Sequence, residues 1–253
     1  MLRDDKKNCQ MTTKRLPAKS LLVTYLFSII FVLGFSQKIS AAHTFQDLEH
    51  IGQRWDEITY HWPKKQRMAG LTELLSDIQN LKQSNPEKPE LLVWEAIVLV
   101  SRASLNPGLG ILGELKYTRD LLLHAIELDP EIMDGAAYLA LGCLYYKVPG
   151  WPLSFGNSEK AAHYFHKALA LNPKGIESNY YYADYLRKIG KAQQSFRYYQ
   201  KVADLPLDPA QPYLSQRLKE KARHKLTKLV AQVSTIVIKS MEKPDYSGAE
   251  PQR

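Results

Sequence analysis

Proline turns divide this chain into units of nearly constant length. Asn85-Pro86, Asp129-Pro130 and Asn172-Pro173, then Leu205-Pro206 and Asp208-Pro209, follow one another at intervals of 44, 43 and 33 or 36 residues. Around them apolar residues recur at helical spacing, as in Leu71, Leu74, Leu75, Ile78 and Leu81 ahead of the first turn, which share one helix face. No stretch keeps the two-residue alternation of a half-buried strand. A period in this range marks stacked helix pairs, since one pair alone cannot bury its apolar face. Each Asp or Asn before proline is expected to cap the helix that follows, with the proline in its first turn.

The third unit identifies the type of pair. Its first helix carries Tyr138, Leu141, Gly142 and Tyr145, and its second carries Ala161, Phe165 and Ala168, closed by Pro173. These spacings resemble both halves of the tetratricopeptide (TPR) signature. Small residues at Gly142, Ala161 and Ala168 let helix axes approach, and the large ones fill the space between layers. The fourth unit is looser, with Ala183, Gly190 and Arg197 to Val202. The second keeps Trp94, Ile97, Leu122, Ala125 and Pro130, and residues 44–86 read as a weaker first pair. The expected fold is all-α: a right-handed TPR-like array of about four helix pairs over residues 43–240, ending in a C-terminal capping helix. A disordered tail is expected over 241–253.

Two units carry extra residues between their helices, Leu105 to Gly113 in the second and Val148 to Asn157 in the third. Insertions at equivalent places in a solenoid emerge on one side. These are expected to form a rim bearing Trp151 and Phe155. The consecutive Tyr180, Tyr181 and Tyr182 cannot all face one core, because successive helix residues point about 100° apart. Tyr146, Trp151, Phe155, Tyr181 and Tyr185 are therefore the candidate ligand- or partner-binding residues, expected to bind through a groove and the two inserted loops.

The amino terminus reads as an export signal. Lys14, Arg15 and Lys19 precede an apolar run from Leu21 to Phe35, and Ser40 and Ala42 give the small-x-small pattern of a cleavage site. The run makes roughly 22 Å of helix, short of a ~30 Å bilayer core. Cleavage near Ala42 and a periplasmic or secreted product are expected, the alternative being an uncleaved N-terminal anchor. Met1 and Met11 both fit as the start. The formal charge of +8 then loses its meaning for partners: residues 1–42 hold seven bases and two acids, which leaves +3. Nucleic acid is not an expected partner. Of the two cysteines, Cys9 precedes the apolar run, and Cys143 is expected to be buried and free.

A narrower resemblance lies in the third and fourth units. The run Leu141-Gly-Cys-Leu-Tyr-Tyr-Lys-Val-Pro-Gly-Trp-Pro-Leu-Ser-Phe-Gly-Asn157, then Lys160-Ala161, and later Asn179-Tyr-Tyr-Tyr-Ala-Asp184, resembles the T-component family of TRAP transporters. That resemblance implies an all-α periplasmic protein of degenerate TPR units that associates with a solute-binding protein, holds an apolar ligand and forms homo-oligomers. Members are often lipoproteins, and here no acceptor cysteine follows the apolar run. The alternative is a general TPR adaptor of envelope assembly or secretion that binds peptide segments.

Catalytic signals are weak. Gly108-Leu-Gly-Ile-Leu-Gly113 matches a dinucleotide fingerprint in letters, but helical sequence flanks it where strands are required. His163 and His166 share a helix face and read as surface or packing histidines. No catalytic, cofactor or metal residues are nominated, and an enzyme is not expected. The last helix, about Tyr213 to Ser240, sets a stripe of Leu214, Leu218, Ala222, Leu226, Leu229, Val233 and Val237 against Arg217, Lys219, Lys221, Arg223, Lys225 and Lys228. A capping helix with a solvated basic face is expected, and membrane contact at most peripheral.

Overall fold

The computed structural model describes residues 48–209 and 211–241. The expected signal segment and the tail beyond Met241 lie outside them. The chain divides into two units, Met1–Glu49 and His50–Arg253, and the architecture is that of the second. Among the described residues the regular elements are helical: α1 (48–60), α2 (Lys64–Ser84), α3 (Pro89–Leu105), α4 (Leu112–Leu128), α5 (Ile132–Lys147), α6 (Ser158–Leu171), α7 (Ile176–Lys188), α8 (Ala192–Asp204) and α9 (Pro212–Met241). Met241, expected to open the tail, is the last residue of α9.

Helices pack as adjacent pairs, α3 with α4, α5 with α6 and α7 with α8. The odd-numbered helices α3, α5, α7 and α9 also touch in succession, so they form one continuous layer. The signature residues of the third unit account for its closeness. A methyl group on Gly142 would come within 2.9 Å of the Phe165 ring, so only glycine lets α6 sit this near α5. Phe165, Leu141, Ala161 and Ala168 are fully buried, with Tyr138 and Tyr145 beside them.

The proline dipeptides end helices instead of starting them. Asn85, Asp129 and Asn172 are the C-caps of α2, α4 and α6, and the next helices begin later, at Pro89, Ile132 and Ile176. The residue before proline is driven out of the α region, which terminates the preceding helix at each site. The turn then ties units together: the Pro173 carbonyl accepts from Asn179 Nδ2 at 3.0 Å on α7 and from Lys201 Nζ at 2.7 Å on α8. The first turn of α5 is also unexpected, with Met133, Asp134 and Gly135 at φ of 48°, 52° and 82°. Gly135 suits that left-handed backbone, and it lies against Leu171.

Two packing features do not follow from the sequence spacing. Glu95 on α3 is fully buried, yet satisfied by Lys82 Nζ at 2.5 Å, Gln79 Nε2 at 3.2 Å and the Tyr117 hydroxyl at 3.1 Å, which joins α2, α3 and α4. Further, α1 does not only cover its neighbours. Trp55 donates to Ser101 Oγ at 2.9 Å on α3, while the His61 ring meets Tyr213 edge-on at 4.4 Å and Arg217 lies over Tyr60. Trp55 and Tyr60 thus pack on the core that α9 caps through Leu214, Leu218, Ala222 and Leu229.

Candidate functional site

The inserted segment between α5 and α6 is a fastened loop. Its ends are held by Asn157 N–H donating to the Tyr145 carbonyl at 2.8 Å and Gly156 N–H to the Pro149 carbonyl at 2.9 Å. A Cβ at Gly156 would collide with the Val148 carbonyl at 2.0 Å, so the close return of the chain requires glycine. At the far end, Leu153 and Ser154 N–H groups both donate to the Gly150 carbonyl at 3.1 Å. Asn157 then caps α6, accepting from Lys160 N–H at 2.8 Å. Phe155 is half-buried, edge-on to Tyr145 with 5.4 Å between ring centroids, and the Arg119 guanidinium of α4 sits 4.9 Å over its ring.

What this anchoring presents is Trp151, 90% exposed, with Leu153 60% exposed beside it in sequence. Removing such a ring from water contributes on the order of 4 kcal/mol, which the fold leaves unused. A rigidly based loop that holds tryptophan in solvent is the arrangement of an interface anchor. The other inserted segment is shorter than its sequence suggested, because α3 runs to Leu105 and α4 starts at Leu112. Its residues Leu109–Ile111 form a 3-10 turn, Leu109 is exposed, and Gly108, Gly110 and Gly113 have open space around them.

The structure separates the five candidate residues. Trp151 is the free one and Phe155 anchors its loop. Tyr146 and Tyr185 are only 7% and 4% exposed, in the core between α5, α6 and α7, so they do not line an open groove. Tyr146 donates to Asp184 Oδ2 at 2.7 Å, and Tyr185 donates to the Ser158 carbonyl at 2.9 Å. Tyr181 is half-buried beneath Lys147, whose ammonium is 5.0 Å from the ring centroid, and packs on the cluster that Trp55 and Tyr60 cover. Burial holds its hydroxyl well above the ordinary tyrosine range. The physical reason for the correction is tertiary. The tyrosines fill gaps between units, and α1 and α9 cover the face of α7 on which an open groove was expected.

Asp184 is the residue that sequence reasoning passed over. It accepts from Tyr146, from Tyr199 at 3.1 Å and from Arg187 at 3.2 Å, linking α5, α7 and α8. Burial pushes its carboxyl up, but the three hydrogen bonds outweigh that and hold it below the ordinary value. The available signal was the spacing of Tyr181, Asp184 and Lys188 on α7, at steps of three and four, against Cys143 with Tyr146 and Lys147 three and four residues after it on α5.

His166 Nε2 is 2.9 Å from the Tyr182 hydroxyl, and the His163 ring meets Tyr164 edge-on. Among the described residues no three His, Cys, Asp or Glu side chains converge as a metal site would need. No helix among them is long and apolar enough to cross a membrane.

No family model matches the chain, and no curated protein matches it. Among solved structures, the crystal structure of the MamA protein aligns at 16% identity and a TM-score of 0.41, covering 80% of this chain and 98% of that one.

Proposed function

We propose that this protein is an exported helical-repeat scaffold that docks a protein partner on the Trp151 loop, with a role like that of the T-component of TRAP transporters and a periplasmic solute-binding protein as partner. The carrying observation is the loop itself. Its base is fixed by backbone hydrogen bonds and by Phe155, while Trp151 and Leu153 remain in solvent. The Pro-Gly-Trp-Pro run that forms this loop also lies within residues 141–185, where the resemblance is most specific. Export follows from the amino-terminal signal pattern, and the packed helix pairs provide a stiff support for the loop.

The test is co-purification from periplasmic extract with the native chain and with Trp151→Ala. A solute-binding protein recovered with the first and reduced about tenfold or more with the second supports the reading, as expected of an interface hot spot. Recovery of assembly or secretion factors alone supports the adaptor alternative and removes the transport role.

A further inference from the structure

Helix α9 carries seven Lys or Arg and one acid, Glu220. Among the described residues no salt bridge reaches the six of those bases between Arg217 and Lys228. Lys221, Lys225 and Lys228 follow one another at four- and three-residue steps, so they form one stripe with about 6 Å between the first two. Two further ammonium groups lie at the ends of α5 and α7, and α7 packs on both α5 and α9. Lys147 ends α5 and lies 5.6 Å from the Tyr146 ring centroid, and Lys188 ends α7 and lies 5.2 Å from the same centroid. Lys188 also donates to the Tyr146 carbonyl. Helix ends explain Lys147 and Lys188, since cations are favoured there. They do not explain the α9 lysines, which lie mid-helix.

Among the described residues no salt bridge neutralises the positive charge of this cluster. Asp184, the carboxylate that acts on Lys221, is committed to Tyr146, Tyr199 and Arg187. Burial, then the charges of Arg217 and Lys147, hold the Lys221 ammonium below its ordinary range, with Lys225 adding to them and only Asp184 opposing. Toward Arg217 the balance differs, because Asp56 and Glu177 act on the same Tyr60 ring that Arg217 covers. The uncompensated part is therefore Lys147, Lys188, Lys221 and Lys225.

We infer that Lys147, Lys188, Lys221 and Lys225 bind an extended acidic segment of a protein partner where α5, α7 and α9 meet. The inference rests on reading the chain as a partner-binding scaffold and adds the chemistry of what is held. Alternate side chains of an extended strand are about 6.6 Å apart, close to the ~6 Å step between lysines one helical turn apart, so successive carboxylates meet successive ammonium groups. One phosphate could not span that stripe. Lys147 and Lys188 converge on the Tyr146 ring from two helices, so the cations do not lie along the single flat helix face that bilayer contact would need.

The experiment titrates the purified full chain into a fluorescein-labelled hexaglutamate peptide and follows anisotropy at low and physiological salt. Binding is expected to weaken with salt, to fall about tenfold in Lys221→Gln/Lys225→Gln, and to fall in Lys147→Gln, whose side chain fills no core space. Hexaglutamine bound equally well, or hexaglutamate bound equally by both variants, overturns the inference. So does lysine-dependent sedimentation with phosphatidylglycerol vesicles in place of peptide binding. The titration does not involve the Trp151 loop. Peptide binding without capture of a solute-binding protein therefore removes the reading above, and capture without peptide binding removes this one.

Discussion

The Tyr146 hydroxyl on α5 donates to Asp184 Oδ2 on α7 at 2.7 Å, across the boundary between the third and fourth helix pairs. It makes a buried polar link where the repeat pattern alone predicts only apolar packing. Tyr146→Phe keeps the ring between Phe165 and Tyr185 and removes only that donor. It should cost about 1–2 kcal/mol in urea unfolding. Asp184→Ala should cost more, because it also strands Tyr199 and Arg187, and the two losses should not add.

The carboxylates give opposite pH slopes. Asp184 is held below the ordinary value near 3.8, so its contribution is present above that value and is lost as pH falls through its lower folded value. Glu177 is raised above 4.5, first by burial, with Asp208 adding to it, so its contribution is full below 4.5 and is lost as pH rises through the folded value. Asp56, raised chiefly by burial, acts in the same direction as Glu177. Glu177→Gln should therefore raise the melting temperature at pH 7 and flatten its rise on acidification toward pH 5. An unchanged profile would remove Glu177 from this account.

Gly142→Ala tests the closeness of α5 and α6. The added methyl meets the Phe165 ring at 2.9–3.0 Å, and that ring is itself fully buried. A loss of about 1–3 kcal/mol is expected from overpacking, although alanine is the better helix former. Calorimetry of the variant would show it.

Cys143 should be inert while the protein is folded. Burial pushes its thiol up to about 12, which leaves very little thiolate at neutral pH. Iodoacetamide labelling followed by mass spectrometry should be on the order of a hundredfold slower in buffer than in urea.

The third unit was the most legible part of the sequence, because Gly142, Ala161, Phe165 and Ala168 act through local spacing that a helix converts directly into contact. The punctuating prolines gave the right periodicity and the wrong side of the boundary. Asn172 closes α6 because the proline restriction acts on the residue before it. Asp134-Gly135 carried a left-handed turn signal inside a helical stretch, which the helical spacing around it concealed. The site was legible only in part. Trp151 stands out in a Pro- and Gly-rich loop, but the burial of Tyr146 and Tyr185 depends on α6 and α7 packing together. The cover over Tyr181 depends on α1 reaching α9, a pairing of residues far apart in sequence, as in His61 with Tyr213. Single-sequence spacing does not encode such contacts.

Site-specific photo-crosslinking tests most directly whether the exposed ring of Trp151 anchors a solute-binding protein. A benzophenone side chain placed at position 151 in the exported chain, compared with one at exposed Lys174, should give a single crosslinked solute-binding protein from position 151 alone, with stability unchanged within about 0.5 kcal/mol. No such product from position 151, or the same product from Lys174, would contradict the account.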